Sequence, residues 1–114
     1  MRVLIVSPFA SDRAALEALL YGEGHTVWTA ATCQEGRALA KVNQPDVVIA
    51  DAQLPGLGVT CDLSVLAHPR HTILLCARAM DAATIPGVVR LMKPIDLPRL
   101  YEHVLRAAAI SQVA

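Results

Sequence analysis

The sequence is poor in aromatic side chains, in charge and in cysteine, and each shortage narrows what the protein can be. Phe, Tyr and Trp make up 4% of the 114 residues against a hydrophobic content of 54%, so Val, Leu, Ile and Ala must build the core. Charged residues reach only 18%, ten basic against ten acidic. Such a balance offers no electrostatic grip on nucleic acid. Cysteine is present three times, as Cys33, Cys61 and Cys76, an odd number with no CxxC spacing. That pattern lacks the signature of a zinc site, and it reads as reduced thiols in a cytoplasmic protein, with Cys33 and Cys61 as small packing residues. Long apolar runs are missing too. The opening "MRVLIVSPF" is too short for a signal peptide core of about 7–15 residues or a span of about 20. The expectation is a soluble protein with no membrane contact.

What is present is a regular succession of short apolar runs: "RVLIV" (2–6), "TVWTA" (26–30), "DVVIA" (46–50), "TILLC" (72–76) and "VVRLM" (88–92). Three are nearly continuous in Val, Ile and Leu. Strands covered on both faces read that way, as in a parallel sheet flanked by helices. Between them lie helical patterns. Residues 12–21, "DRAALEALLY", put Leu16, Leu19 and Leu20 on one face, with Ser11 as the expected N-cap and Gly22 and Gly24 as the stop. "TCQE" (32–35) has the form of a capping box opening a helix to about Val42. Asp96-Leu97-Pro98 opens a last helix whose apolar stripe is Leu97, Leu100, Tyr101, Val104 and Leu105. Two further connections, "VTCDLSVLAHP" capped by Thr60 and "ARAMDAATIPG" broken by Pro86-Gly87, should hold a short helix each, the second the more frayed. Trp28 is expected in the core. His25, His68, His71 and His103 have no ligand spacing and read as surface or loop residues.

The expectation is one α/β domain over residues 1–114, a doubly wound parallel sheet with helices on both faces. Ligand sites in such sheets lie beyond the carboxyl ends of the strands. Here those ends are Ser7-Pro8, Asp51, Cys76-Ala77 and Lys93-Pro94.

"VVIADAQLPGLG", "LMKPID" and "VLIVSPFASDR", in their places in this element order, resemble the receiver domain of bacterial two-component response regulators. The resemblance runs from Val3 to about Ala107. It implies a flavodoxin-like five-stranded sheet of order 2-1-3-4-5, and phosphoryl transfer from a sensor-kinase histidine to Asp51. It also implies Mg²⁺ held by acidic residues after the first strand, by Asp51 and by the Gln53 carbonyl, with Lys93 on the phosphoryl oxygens. A hydroxyl ending the fourth strand and an aromatic on the fifth would complete the switch.

The sequence departs from that pattern at the residues that carry the chemistry. Ser7 and Pro8 stand where the acidic pair should be, Cys76 replaces the hydroxyl, and Arg90 replaces the aromatic. Mg²⁺ favours an octahedron of carboxylate and water oxygens, which one carboxylate and one carbonyl serve poorly. The deficit matters. Two like charges about 4 Å apart repel by about 4 kcal/mol at an effective dielectric of about 20, and about 4 kcal/mol slows a reaction roughly a thousandfold. Lys93 can serve either as a structural partner of Asp51 or as a phosphate ligand.

The leading expectation is therefore an atypical receiver, not an enzyme. It would need no cofactor and would act through a protein partner, a sensor kinase or downstream signalling protein. Homodimerisation would use the fourth-strand to last-helix face. The alternative is a conventional Mg²⁺-dependent receiver phosphorylated on Asp51. A small flavodoxin-like cofactor binder is the remote third, because "SPFASDR" has no glycine for a phosphate loop.

Overall fold

The computed structural model describes residues 1–57, 60–62, 71–77 and 88–113. Its elements run β1 (Arg2–Val6), α1 (Ala10–Gly22), β2 (Thr26–Ala30), α2 (Cys33–Asn43), β3 (Val47–Asp51), β4 (Thr72–Cys76), β5 (Val89–Met92) and α3 (Leu97–Val113). The five strands form one sheet of order β2-β1-β3-β4-β5, and every pairing is parallel. This is the expected flavodoxin-like topology. The two short helices expected after Gly58 and after Cys76 fall outside the described residues.

Alternate residues of each central strand feed two separate cores. Val3, Ile5, Val47, Ile49, Ile73, Leu75 and Leu91 pack on one face with Leu16 and Leu20 of α1 and with Leu100, Val104, Ala107 and Ala108 of α3. Leu4, Val6, Val48, Ala50, Leu74 and Cys76 pack on the other with Ala40 of α2 and Leu54. The continuous apolar runs follow from this, since a strand with helices on both sides has no polar face to spare. β2 and β5 are the edges and are more exposed. Trp28 accordingly sits half-buried against the second core.

Helix boundaries follow local chemistry with two exceptions. Thr32 caps α2 as expected, accepting from the Glu35 backbone N–H at 3.1 Å, and Gln44 ends that helix in a left-handed conformation. Asp96 caps α3 through the Arg99 N–H at 3.2 Å. Ser11, however, is not the cap of α1. The helix begins at Ala10 after Phe9, which makes no side-chain capping bond. Ser7 Oγ accepts the Phe9 N–H instead, at 3.1 Å, so the turn forms one step earlier than the Ser-Asp pair suggests. Leu105 also departs from expectation, being 44% exposed, while Ala107 and Ala108 complete the buried stripe.

His25 is a structural joint rather than a bare loop residue. The Met1 ammonium lies 3.1 Å from its Nδ1 and Tyr101 Oη lies 2.6 Å from its Nε2. An ammonium can only donate, so Nδ1 accepts and Nε2–H donates to the tyrosine. Burial, and then the neighbouring N-terminal charge, lower the His25 pKa against the opposing pull of Glu23. The folded state therefore favours the neutral ring. Its contribution is present above the ordinary value of 6.5 and is lost as pH falls through the lower folded value.

Two outcomes test this packing. Ile49→Ala should lower stability by about 2–5 kcal/mol in urea titration, with an unchanged slope, while Leu105→Ser stays within about 0.5 kcal/mol. Thermal melts should lose stability as pH drops below 6.5, and His25→Gln should flatten that loss by removing the ring that titrates.

Candidate functional site

Asp51 ends β3 and is fully buried. A carboxylate in that position needs compensation, because an isolated buried charge is far too costly to persist. Its two oxygens are served differently. Oδ1 accepts the Gln53 backbone N–H at 2.8 Å. Oδ2 has no directed hydrogen bond, but the Lys93 ammonium stands 2.6 Å away. That contact is an ion pair by proximity and charge rather than by hydrogen-bond angle.

Lys93 reaches this point from the first position after β5. Its backbone N–H donates to the Cys76 carbonyl at 2.8 Å, which extends the β4–β5 ladder by one step, and the following bond to Pro94 is cis. The ammonium is then held a second time. Asp12, in the first turn of α1, accepts from it at 3.0 Å. The Phe9 ring lies beneath, its centroid 4.5 Å from Nζ, a favourable arrangement for a cation. Burial alone would lower the Lys93 pKa, but the close contacts and negative charges of Asp51 and Asp12 outweigh it and raise the pKa above 10.5.

Asp12 is the functional-site residue that the sequence pattern does not reveal. It lies 81 residues from Lys93 in the chain and reads locally as an ordinary acidic residue in a helix's first turn. The remaining expected positions sit around the triad in different ways. Ser7 is buried. Its Oγ is engaged with Phe9 and its carbonyl accepts from the Arg13 guanidinium at 2.7 Å. Pro8 follows, half-exposed. Cys76 is buried in the apolar core on the α2 side of the sheet, its thiol 4.0 Å from the Leu74 carbonyl. Arg90 is exposed on the β5 edge and borders a shallow cavity with Asp96 and Arg99.

These donors do not match what Mg²⁺ requires. Among the described residues no three His, Cys, Asp or Glu side chains converge on one point. Both carboxylates near the expected position already share the Lys93 ammonium, and the Arg13 cation sits on the Ser7 carbonyl. A divalent ion would meet two fixed positive charges and no second free carboxylate. The β1–α1 turn, Ser7-Pro8-Phe9, likewise offers no glycine-lined phosphate cradle.

One thiol expectation is overturned. Cys33 and Cys61 are joined in a disulfide, with Cα atoms 5.8 Å apart at a sequence separation of 28. The expectation of reduced thiols came from spacing, but the fold brings the two sulfurs together. Cys33 opens α2 just after β2, and Cys61 lies in the loop that follows β3. Beside them a cavity of about 450 Å³ is lined by Pro8, Thr32, Arg37, Thr60 and both cysteines.

No family-wide sequence profile matches the chain. Individual proteins do. The transcriptional regulatory protein AfsQ1 of Streptomyces coelicolor is 33% identical over 91 residues, which cover 75% of this chain and 39% of that protein. The protein PilH of Pseudomonas aeruginosa is 41% identical over 56 residues, covering 49% of this chain and 46% of PilH. The chain therefore spans less than half the length of either relative. A response regulator receiver domain protein from Clostridium thermocellum superimposes with a TM-score of 0.82, at 22% identity over 98% of this chain and 97% of that one.

Lys93→Met should leave Asp51 buried without its counter-charge and destabilise the protein by about 3–5 kcal/mol in denaturant titration, whereas pairing it with Asp51→Asn should recover most of that loss. Asp12→Asn, at a partly exposed position, should cost no more than about 1 kcal/mol. A raised lysine pKa stabilises fully below the ordinary 10.5 and fades as pH rises through the higher folded value. Alkaline melting curves should show that fade in the native sequence and lose it in the Lys93→Met, Asp51→Asn double variant.

With its strand order, a buried aspartate ending the third strand, a lysine-proline after the fifth, and these relatives, the chain belongs to the receiver domains of two-component response regulators.

Proposed function

We propose that this receiver domain signals by protein–protein contact, with metal-dependent phosphorylation of Asp51 weak or absent. The observation that carries the reading is the double hold on Lys93, at 2.6 Å from Asp51 and 3.0 Å from Asp12. In a receiver that turns over phosphoryl groups, the lysine must be free to follow the incoming phosphoryl oxygens. Here Asp12 anchors it from the opposite side, so phosphorylation would have to break an ion pair as well as place negative charge beside a second carboxylate. Ser7 and Pro8 supply no metal to offset that repulsion.

The domain then acts as a non-enzymatic cytoplasmic module whose partner is a sensor kinase or a downstream signalling protein. No described helix is long and apolar enough to cross a membrane, and the balanced charge gives no net positive field to draw nucleic acid. Homodimerisation through the β4-to-α3 side is supported by apolar exposure there: Val89 is 37%, Met92 48% and Leu105 44% exposed.

The conventional reading retains one supporting feature, the direct approach of Lys93 to Asp51. A single experiment separates the two. Incubation with a small acyl-phosphate donor and millimolar Mg²⁺, followed by intact mass measurement, should leave the protein unmodified. Stoichiometric gain of one phosphoryl group, abolished by Asp51→Asn, would overturn the atypical reading. If Asp12 is the lock, Asp12→Asn should raise whatever slow modification the native protein shows.

A further inference from the structure

The disulfide joins two segments that matter for Asp51. Cys33 is the first residue of α2, directly after its capping Thr32. Cys61 closes the loop that leaves β3. From Cys61 a continuous series of hydrogen bonds runs back to Asp51. The Cys61 and Thr60 N–H groups both donate to the Gly56 carbonyl at 2.8 Å, the Leu57 N–H donates to Leu54 at 3.2 Å, and the Leu54 N–H donates to the Asp51 carbonyl at 3.1 Å. The Gln53 N–H completes the series on Asp51 Oδ1. Gly56 holds the bend with φ of 78°, and a Cβ there would collide with the Thr60 hydroxyl. The loop is thus fixed at its near end by the carboxylate and at its far end, covalently, by α2.

The two sulfurs differ in access. Cys61 is 1% exposed while Cys33 is partly exposed, and both border the same cavity. An incoming thiolate therefore reaches the Cys33 sulfur first. At the start of an 11-residue helix, the Cys33 thiolate is also favoured by the helix dipole, which makes it a good leaving group and an available nucleophile. Neither sulfur belongs to the two apolar cores, so opening the bond leaves those cores in place.

We propose that Cys33 and Cys61 form a reversible thiol–disulfide pair, exchanging with low-molecular-weight thiols and their disulfides through this cavity. Its redox state sets how firmly the Asp51 loop is held. In the opening direction a thiolate attacks the Cys33 sulfur, forming a mixed disulfide and releasing Cys61 as thiolate. A second thiolate attacks the small-molecule sulfur of that mixed disulfide, releasing the oxidised small disulfide and the Cys33 thiolate. Closing is the reverse, with the small disulfide as oxidant and two small thiols as products. In a thiol-buffered compartment, a disulfide of this kind is a switch rather than a staple. The proposal stands whether or not Asp51 accepts phosphate.

The test equilibrates the full chain in glutathione buffers from fully reduced to fully oxidised. Samples are quenched in acid, denatured and alkylated, then read by intact mass. With three cysteines in the sequence, the oxidised form should take one label, on Cys76, and the reduced form three, the two new labels appearing together. Cys76→Ser should keep that two-thiol step, and Cys33→Ser and Cys61→Ser should each abolish it. One label at every buffer ratio, or three at every ratio, overturns the reversible pair. Hydrogen exchange on the native chain reads the coupling. The Gln53 and Leu54 amides should exchange faster on reduction by on the order of tenfold, while the Leu4 and Ile5 amides of β1 stay unchanged. Equal exchange of Gln53 and Leu54 in the two redox forms overturns the link to Asp51.

Discussion

A fully buried carboxylate at the end of the central strand is the constraint that organises one end of this molecule. Asp51 cannot carry its charge there without a cation at contact distance, so Lys93 must come in from β5. Once there, the lysine carries its own charge into a partly covered position, where Asp12 and the Phe9 ring receive it. The result fastens α1, β3 and the segment after β5 at a single ammonium. The surface pair Arg2–Asp46, at 3.6 Å with both side chains in contact with water, contributes little by comparison, because solvent already stabilises each partner. Burial, rather than the number of ion pairs, decides which charge matters.

The same arrangement explains why the departures from the receiver pattern belong together. A metal between Asp51 and an acidic β1–α1 turn would need carboxylates where this chain has Ser7 and Pro8. Without a metal, excess negative charge in the turn would be uncompensated, and none is present. The Arg13 guanidinium instead satisfies the Ser7 carbonyl, and the one acidic residue nearby, Asp12, is directed at Lys93. Under the proposed function this is a site whose charge balance is met internally by an ammonium.

The sequence makes legible whatever depends on neighbours along the chain. Runs such as Val47–Ala50 are apolar at every position because both faces are covered, and that alone identifies a parallel sheet. The Thr32 and Asp96 caps bind three residues onward and are visible for the same reason. What stayed hidden depends on distant partners or on register at an element's end. Asp12 meets a lysine 81 residues away. Cys33 and Cys61 meet across 28 residues only because β2 and β3 flank β1 and deliver both to the same end of the sheet. Ser11 looked like a cap because it precedes an acidic residue and an apolar stripe, yet Ser7 forms the turn first. Leu105 lies on the stripe by periodicity, but Ala107 and Ala108 offer α3 a closer approach to the sheet.

Two different kinds of restraint therefore meet on the loop from Asp51 to Cys61. On the α1 side it is electrostatic, through Lys93 and Asp12. On the α2 side it is covalent, through Cys33. Pro8 stands between them, bordering the cavity beside the disulfide while occupying the turn that a metal-binding receiver would fill with acid. Electrostatic restraint answers to added negative charge, and covalent restraint answers to electron supply. Under the proposed function and the proposed redox pair, the covalent restraint is the one that thiol exchange would break and remake. Both restraints act on the one segment between Asp51 and Cys61, so under these proposals either input would be read as a change in how firmly that segment is held.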